Sequence, residues 1–406
     1  MTRLSEKMKT ENDQASARLK GRTMIHMFQP SVGAEELEAI GEVFDSNWLG
    51  YGPRTQAFEK EFADHLGVPP ESVLFINSAT SGLHLTMELL DVGPGDDVLL
   101  PSVSFVANAN SVAARGARPV FFDVDPHTLN PSVADIEAAL TPRTKAVTVL
   151  HYGGQPGDII AITALCEERG IPLIEDAACS VGSSVDGKAC GSFGDIGIWS
   201  FDSRKIITTG DGGMIYVRDP ELARRAHRLA YHGLEDRGAF ATAAKDPRRW
   251  WDLTVHDLGR RLIGNDVTAA IGRVQLRRLP DFISRRGAIA AEYNRLLSGC
   301  EGVLLPPEPP DGHVSTNYFY WVRLDAEIRD AVAEDLLAQG VYTTFRYPPL
   351  HEVPLYGADV VLPGTDEAAA TILLLPLHQA LSEEDVRRVA RELRVAVERR
   401  THRRAA

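Results

Sequence analysis

The sequence predicts an α/β protein whose core is a mostly parallel sheet covered by helices. Short apolar runs rich in β-branched and aromatic residues recur from residue 73 onward, and helical stretches separate them. The runs are apolar nearly throughout rather than at every second position, which is typical of strands that are buried on both faces. The alternation over residues 60–260 therefore places this region in the α/β class.

Seven apolar runs define the strands of this sheet. They lie at residues 73–76, 98–100, 120–122, 146–150, 172–175, 196–200 and 214–217. The chain has 406 residues, of which 44% are hydrophobic, so it can bury a large core and hold a second domain. We therefore expect a seven-stranded sheet within a large domain of residues 25–284.

The rest of the sequence predicts a disordered arm over residues 1–24 and a smaller α+β domain over residues 285–406. Longer helical stretches with one strand between them are predicted at 269–279, 285–299, 331–339 and 383–400, with the strand in 312–325. Pro280 is expected to kink or split the first of these helical regions, because it cannot donate a backbone hydrogen bond. Ser382 is the predicted N-cap of the last helix, whose first turn is acidic.

Charge and composition exclude several function classes. The net charge is −13, although residues 1–25 carry six basic and three acidic side chains and residues 386–406 carry eight arginines and two glutamates. The body is therefore strongly acidic, which argues against nucleic-acid binding, and the basic ends are expected to be solvated. No apolar run is long enough to span a bilayer, and because the N-terminus is polar we expect no secretion signal. We expect a cytoplasmic protein, because the four cysteines have no disulfide or zinc spacing.

Two candidate catalytic residues follow strands of the predicted sheet. Lys205 lies between the strand 196–200 and a glycine-rich turn, at the edge of the sheet where α/β proteins bind ligands. Asp176 ends the strand at 172–175, where an acid either forms a structural salt bridge or pairs with a cationic atom of a ligand. A surface lysine beside a hairpin turn is the alternative for Lys205.

Two further segments follow strands in the same way. Ala79, Thr80 and Ser81 come after the first strand and open a helix, so their backbone N–H groups and hydroxyls form a phosphate seat or an ordinary N-cap. Phe105 follows the second strand and can stack on a planar ring or belong to the core. Together these segments supply a phosphate seat, a stacking ring, a carboxylate and a lysine at one sheet edge. Pyridoxal 5′-phosphate (PLP) needs that combination, since lysine binds its aldehyde and a carboxylate keeps its pyridine nitrogen protonated.

The order and spacing of these residues resemble the PLP-dependent sugar aminotransferases of the DegT/StrS type, a branch of the fold-type I aspartate aminotransferase superfamily. The lysine motif of that family is S-F-x-x-x-K-x-x-x-x-G-E-G-G, and Asp211 is the only change from it in Ser200 to Gly213. The segment 47–53 also matches the family, and the resemblance covers the chain from about residue 27 to its end. It implies the fold-type I architecture and a homodimer with a shared active site.

The resemblance implies a role for each candidate residue. Lys205 would form the Schiff base and shuttle protons, and Asp176 would pair with the pyridine nitrogen. The remaining cofactor-binding positions would be Ala79, Thr80, Ser81 and Ser200 at the phosphate, Phe105 on the ring, Cys179 at the phenolic oxygen, and Arg261 at the phosphate across the dimer interface. Two of these depart from the family, in which glutamine stands at Cys179 and asparagine or lysine at Arg261. No metal site is expected.

The substrate is also implied by the resemblance. Arg346 and Tyr347 open a loop that in the family reads H-Y-x-P-L-H, and Tyr318 is expected in the same pocket. An arginine there can pair with a diphosphate or simply lie on Tyr347 as a surface residue. The implied reaction is ping-pong transfer of an amino group, by family habit from L-glutamate, to the ketone of a nucleotide-activated keto sugar. Such a reaction belongs to amino-sugar biosynthesis for a surface polysaccharide or an antibiotic. A free cyclitol ketone as substrate and a catalytically silent PLP-binding sensor are the alternatives.

Overall fold

The computed structural model describes residues 24–234 and 254–405. Two helices precede the sheet, α1 (Ala34–Asp45) and α2 (Pro53–Leu66). Strands and helices then alternate as β1 (Val73–Ile76), α3 (Ala79–Leu89), β2 (Asp97–Pro101), α4 (Ala107–Ala113), β3 (Arg118–Phe122), α5 (Val133–Ala139), β4 (Thr144–Leu150), α6 (Ile159–Arg169) and β5 (Leu173–Asp176). This part ends with a short hairpin, two further sheet strands and a helix: β6 (Ser184–Val185), β7 (Lys188–Ala189), β8 (Ile196–Ser200), β9 (Gly213–Val217) and α7 (Pro220–Leu229).

Seven of these strands form one sheet in the order β1-β9-β8-β5-β4-β2-β3. Every neighbouring pair from β8 to β3 is parallel, whereas β9 runs antiparallel to both β8 and β1. The prediction of a mostly parallel, seven-stranded sheet is therefore confirmed, and each predicted strand overlaps an observed one. The single reversed strand follows from the glycine-rich turn after Lys205, which returns the chain beside β8 without a crossover helix.

Both faces of the sheet are buried, as the continuous apolar runs predicted. Along β1, Leu74 and Ile76 belong to the core on one face, and Val73 and Phe75 belong to the core on the other. The same alternation divides Ile198 from Trp199 on β8 and Ile215 from Met214 on β9, as the two-residue period of a strand requires. Full burial of one such side chain contributes about 1.5–3 kcal/mol, which makes the sheet a rigid base for the loops at its edge.

The remaining elements form a smaller α+β region. In chain order they are α8 (Asp266–Leu297), β10 (His313–Val314), β11 (Tyr320–Arg323), α9 (Ala326–Ala338), α10 (Pro363–Thr371), β12 (Ile372–Leu375) and α11 (Glu383–Ala405). β11 and β12 pair antiparallel, and the buried side chains of α8, α9 and α11 pack with them in a separate core. Ser382 caps α11 as predicted, because the backbone N–H of Asp385 donates to its hydroxyl at 3.1 Å.

Three expectations for this region were wrong in detail. Of the kink or split expected at Pro280, the split is wrong, because α8 is one 32-residue helix with Pro280 inside it. The predicted strand at 312–325 is two short strands, β10 and β11, separated by residues 315–319. Helix α9 begins earlier than expected, because the Asp325 side chain caps it by accepting the N–H of Glu327 at 2.9 Å. The predicted division between domains at residue 284 lies inside α8 and stays a prediction.

The basic C-terminal helix uses several of its arginines within the chain. Arg387 pairs with Glu383 at 2.7 Å and Arg400 pairs with Asp335 at 2.7 Å, while Arg394 donates to a backbone carbonyl. These contacts fit a solvated, internally paired helix rather than a nucleic-acid surface. Within the described ranges no helix has the length and apolar character needed to cross a membrane. The predicted arm over residues 1–24 lies almost wholly outside the described residues.

Candidate active site

One open cavity, with an empty volume of about 950 Å³, collects the polar groups at the carboxyl edge of the sheet. Ten of the predicted site residues line it: Ala79, Thr80, Phe105, Asp176, Cys179, Ser200, Lys205, Tyr318, Arg346 and Tyr347. The sheet itself brings these residues together, because the chain leaves β1, β2, β5 and β8 at the same edge. Ser81 and Arg261 do not line the cavity.

The start of helix α3 forms one wall of the cavity. Ser78 is the N-cap, and its hydroxyl accepts the N–H of Ser81 at 3.1 Å. Ser81 therefore completes the cap rather than facing the cavity, which the sequence alone did not reveal. No described group accepts the backbone N–H of Ala79 or Thr80, so these two donors and the positive end of the helix dipole remain available to an anion.

The glycine-rich turn after Lys205 is required by close packing against this helix. A Cβ atom on Gly213 would lie 2.7 Å from the backbone nitrogen of Ala79 and 2.7 Å from the Trp199 carbonyl oxygen. Gly210 has a φ of +86°, a conformation that disfavours residues with a side chain. The glycines thus let β9 start directly beneath the helix N-terminus and hold the phosphate seat against the sheet.

The two acids at the end of β5 point to opposite sides of the sheet and have different roles. Glu175 is fully buried away from the cavity, and it accepts the backbone N–H groups of Gly191 at 2.7 Å and Gly194 at 2.6 Å. His151 also lies 2.8 Å from it. Asp176 is the residue of this pair that lines the cavity, whereas Glu175 forms hydrogen bonds within the core.

Asp176 is held by two donors, and one of them, the side chain of Asn108, was not predicted from the sequence. Its Oδ1 accepts the backbone N–H of Ala178 at 3.0 Å, and its Oδ2 accepts the side-chain amide of Asn108 at 2.7 Å. Asn108 is 3% exposed and its own Oδ1 has no partner among the described groups. A polar side chain one helical turn after Phe105 was the available signal, but only the fold brings it to Asp176.

Lys205 reaches into the cavity from the loop between β8 and β9. Its Nζ lies 3.7 Å from the sulfur of Cys179 and 4.6 Å from the centre of the Tyr318 ring. Burial by itself lowers the pKa of Lys205, but its contacts with Cys179 and Tyr318 and the nearby carboxyl groups of Asp176 and Asp202 outweigh burial and raise that pKa. Without a ligand the amine is therefore charged at neutral pH.

Neutral but polar groups surround this amine. Burial raises the pKa of the Cys179 thiol and raises those of the Tyr318 and Tyr347 phenols, so all three keep their protons at neutral pH. The ring of Tyr347 lies 5.8 Å from that of Phe105 at an angle of 57°. Half of the Phe105 side chain is exposed, which leaves a face of its ring open to a planar ligand.

Arg346 supplies a cation without a carboxylate partner. Its guanidinium lies 5.0 Å from the centre of the Phe28 ring, and that ring stacks on Tyr318 at 5.5 Å. The ring on which this guanidinium lies is thus Phe28, a residue that the sequence alternative did not name. Among the described residues neither Arg346 nor Arg204, which also lines the cavity, has an ion-pair partner. The mouth of the site thus offers two free positive charges to an anionic ligand.

Arg261 lies away from this cavity on the same chain. It is exposed, and its backbone forms an isolated antiparallel β-bridge with Tyr231. Its guanidinium lies 5.5 Å from the centre of the Tyr231 ring. Its predicted contact with a cofactor phosphate would have to come from a second copy of the chain.

Known proteins resemble the chain over most of its length. A family model described as the DegT/DnrJ/EryC1/StrS aminotransferase family matches residues 30–394. The chain belongs to this family. Aminotransferases of the family depend on PLP, and the chain is an aminotransferase with the fold-type I architecture that the sequence predicted.

Individual relatives match over nearly the whole chain. A protein of Saccharopolyspora spinosa named dTDP-4-dehydro-2,3,6-trideoxy-D-glucose 4-aminotransferase is 62% identical over 375 residues, which are 92% of this chain and 97% of that protein. The crystal structure of the aminotransferase TlmJ from Streptoalloteichus hindustanus is 57% identical, with a TM-score of 0.89 over 93% of this chain and 99% of that one. The PLP form of the sugar aminotransferase Spr1654 from Streptococcus pneumoniae is 23% identical, with a TM-score of 0.84 over 93% of this chain and 99% of that one, and it shares the fold.

Proposed function

We propose that the cavity binds PLP, and that Lys205 and Asp176 are its two essential partners. The observation that carries this proposal is that the Lys205 amine and the Asp176 carboxyl group line one cavity at the open N-terminus of α3. The residues fit the cofactor, because the two free N–H groups of Ala79 and Thr80 suit a phosphate and the carboxylate suits a protonated ring nitrogen. Bound there, PLP would supply an electron sink for the electrons left when a C–H bond next to nitrogen loses its proton.

Each side chain then has a defined task. The Nζ of Lys205 binds the cofactor at rest and, once released, carries a proton to and from the substrate carbon. Asp176 pairs with the ring nitrogen, and it is held in place because Asn108 and the Ala178 N–H donate to its two carboxyl oxygens. The remaining contacts are assigned as follows: Ala79, Thr80 and Ser200 to the phosphate, Phe105 to the ring face, and Cys179 to the phenolic oxygen.

We propose that the acceptor is the ketone of a nucleotide-activated keto sugar, with a dTDP-linked deoxy sugar as the first candidate. Arg346 and Arg204 offer unpaired charge at the cavity mouth, which suits a diphosphate and has no use in a neutral cyclitol. The relative at 62% identity is named for a dTDP-linked 4-keto sugar, which supports the same class. Tyr318 and Tyr347 frame the approach to the amine, and L-glutamate is the proposed donor.

We further propose a homodimer in the cytosol with an active site shared between subunits. Arg261 is exposed and outside its own cavity, so it is available to the phosphate of a partner subunit. The four cysteines are free and buried, which suits a reducing compartment. The shared site is tested by mixing Lys205→Ala and Arg261→Glu chains, because a hybrid dimer contains one intact site and should regain activity. Failure to regain activity in hybrids of proven composition would contradict the assignment of Arg261.

The function is tested by incubating the chain with PLP, L-glutamate and a dTDP-linked 4-keto deoxy sugar. Mass spectrometry should show the amino sugar nucleotide together with 2-oxoglutarate in equal amounts, and the Lys205→Ala variant should give neither. Product from a free cyclitol ketone but not from the sugar nucleotide would select the rival substrate. Cofactor binding without amino transfer from any donor would select the silent relative.

A further inference from the structure

An arginine behind the active site is buried without any acidic partner. Arg286 lies on α8, is 2% exposed, and forms no ion pair with a described carboxylate. Burial lowers the pKa of Arg286 to about 10, so it is still charged at neutral pH. A buried charge is costly unless hydrogen bonds compensate it, and a hydrophobic side chain on a helix would avoid that cost.

Hydrogen-bond acceptors from two separate segments compensate this charge. The Nε of Arg286 donates to the Asn317 carbonyl at 3.0 Å, and one terminal nitrogen donates to the carbonyls of Tyr318 at 2.8 Å and Leu377 at 2.9 Å. The other terminal nitrogen donates to the side-chain oxygen of Gln379 at 3.0 Å. The planar guanidinium therefore joins residues 317–318 to residues 377–379, which are neighbours only in the folded chain.

Both segments lead directly to Lys205. The side-chain amide of Gln379 donates onward to the carbonyl of Ile206 at 3.2 Å, next to the lysine in sequence. Tyr318 places its ring 4.6 Å from the lysine Nζ, and the guanidinium of Arg286 lies 5.9 Å from the same ring. Arg286 thus fixes the ring that faces the amine and the loop that carries it.

We propose that Arg286 is a positioning residue for the amino-transfer reaction, which holds the Lys205 loop and the Tyr318 ring at their mutual distance. This inference rests on the proposed function of the same site. The shape of the guanidinium is what matters, because a lysine has the charge but no planar fork to span four acceptors. Gln379 connects Arg286 to the Lys205 loop, because it accepts from Arg286 and donates to the backbone carbonyl of Ile206.

The proposal is tested with Arg286→Lys, Arg286→Met and Gln379→Leu, and with Arg285→Met as the control from the same helix. The first readout is the rate at which an amine reagent labels Lys205 in the cofactor-free chain at pH 9, measured by peptide mass spectrometry. The groups that raise the pKa of this amine are Cys179, Tyr318, Asp176 and Asp202. The two Arg286 variants and Gln379→Leu should loosen the contacts of the amine with Cys179 and Tyr318. Since those contacts favour the charged amine, labelling should rise about 3- to 10-fold in the three variants. It should stay unchanged in Arg285→Met.

The second readout separates positioning from binding in the complete enzyme. The kcat of amino transfer should fall at least about tenfold in Arg286→Lys and Arg286→Met, with KM for both substrates changed by less than about threefold. Wild-type labelling and kcat in Arg286→Lys would overturn the proposal, since charge alone would then suffice. If the Arg286 variants do not fold, Gln379→Leu decides, because unchanged labelling and kcat in that variant would also overturn it. Labelling needs neither cofactor nor substrate, so a wrong proposed function would leave that readout valid.

Discussion

Replacing Asn108 with alanine removes one hydrogen bond from the Asp176 carboxylate and keeps helix α4 intact. The bond is 2.7 Å long and is made by a buried side chain to a charged acceptor. Such bonds contribute about 1.5–3 kcal/mol, which corresponds to about 10- to 150-fold in a rate or binding constant. We therefore expect kcat/KM for amino transfer to fall by that factor, because the carboxylate must stay charged and oriented in the reaction.

The same substitution should change folding stability far less. The Oδ1 of Asn108 has no described partner, so alanine also removes a buried, unsatisfied acceptor whose burial costs about 1–3 kcal/mol. The two changes offset each other, and we expect the free energy of unfolding to shift by no more than about 1 kcal/mol.

The assay combines steady-state kinetics with chemical denaturation, and Asn110→Ala is the matched control. Asn110 lies on the same helix, is exposed, and its side-chain oxygen accepts the hydroxyl of Tyr356 at 2.8 Å. The control should leave kcat/KM within about twofold of the wild type. The reasoning would be refuted if Asn108→Ala kept wild-type kcat/KM, or if its loss of activity matched an equal loss of stability.

Three other predictions follow from the site and the core. Lys205→Ala should retain no cofactor after borohydride reduction and lose about 10²–10⁴-fold in rate, and a full yield of the reduced adduct would contradict its role. Asp176→Ala should keep part of its cofactor binding and lose most turnover, and near-native rates would contradict its role. Arg346→Met should raise KM for the nucleotide sugar about tenfold or more and spare KM for L-glutamate, so an equal rise for both would remove the diphosphate assignment. Burial lowers the pKa of His378 to about 4, so unfolding titrations should show stability falling by about 2–3 kcal/mol as the pH drops from 6.5 to 4, and the fall should be smaller in His378→Gln.

The sequence predicted the sheet well because burial on both faces leaves a local signal. Residues such as Leu74, Phe75 and Ile198 are apolar whichever face they occupy, so each strand appears as a continuous run. The interruption of the strand at 315–319 was missed, because an aromatic-rich segment looks extended whether or not it has a partner. Pro280 was misjudged for a related reason, since the packing of a 32-residue helix outweighs one missing hydrogen bond.

The sequence predicted which residues at the strand ends would lie together, but it did not predict the residues that hold them in place. Asp176 ends β5 and Lys205 lies in the loop after β8, so their place at the sheet edge could be inferred from the order of elements. Asn108 and Arg286 act through partners about 30 to 90 residues or more away in sequence, and no local pattern connects them. Ser81 shows the opposite error, because a hydroxyl at a helix start serves equally as cap or ligand until the fold decides.

The central claim is that Lys205 and Asp176 form a working PLP site that takes nitrogen from an amino acid. The most direct test is the visible absorption spectrum of the purified chain with PLP, recorded while L-glutamate is added and 2-oxoglutarate is measured. We predict a cofactor band that disappears with glutamate as one equivalent of 2-oxoglutarate forms per site, and no such band in Lys205→Ala. A wild-type chain that gives no lysine-dependent band, or a band that no amino acid changes, would contradict the claim.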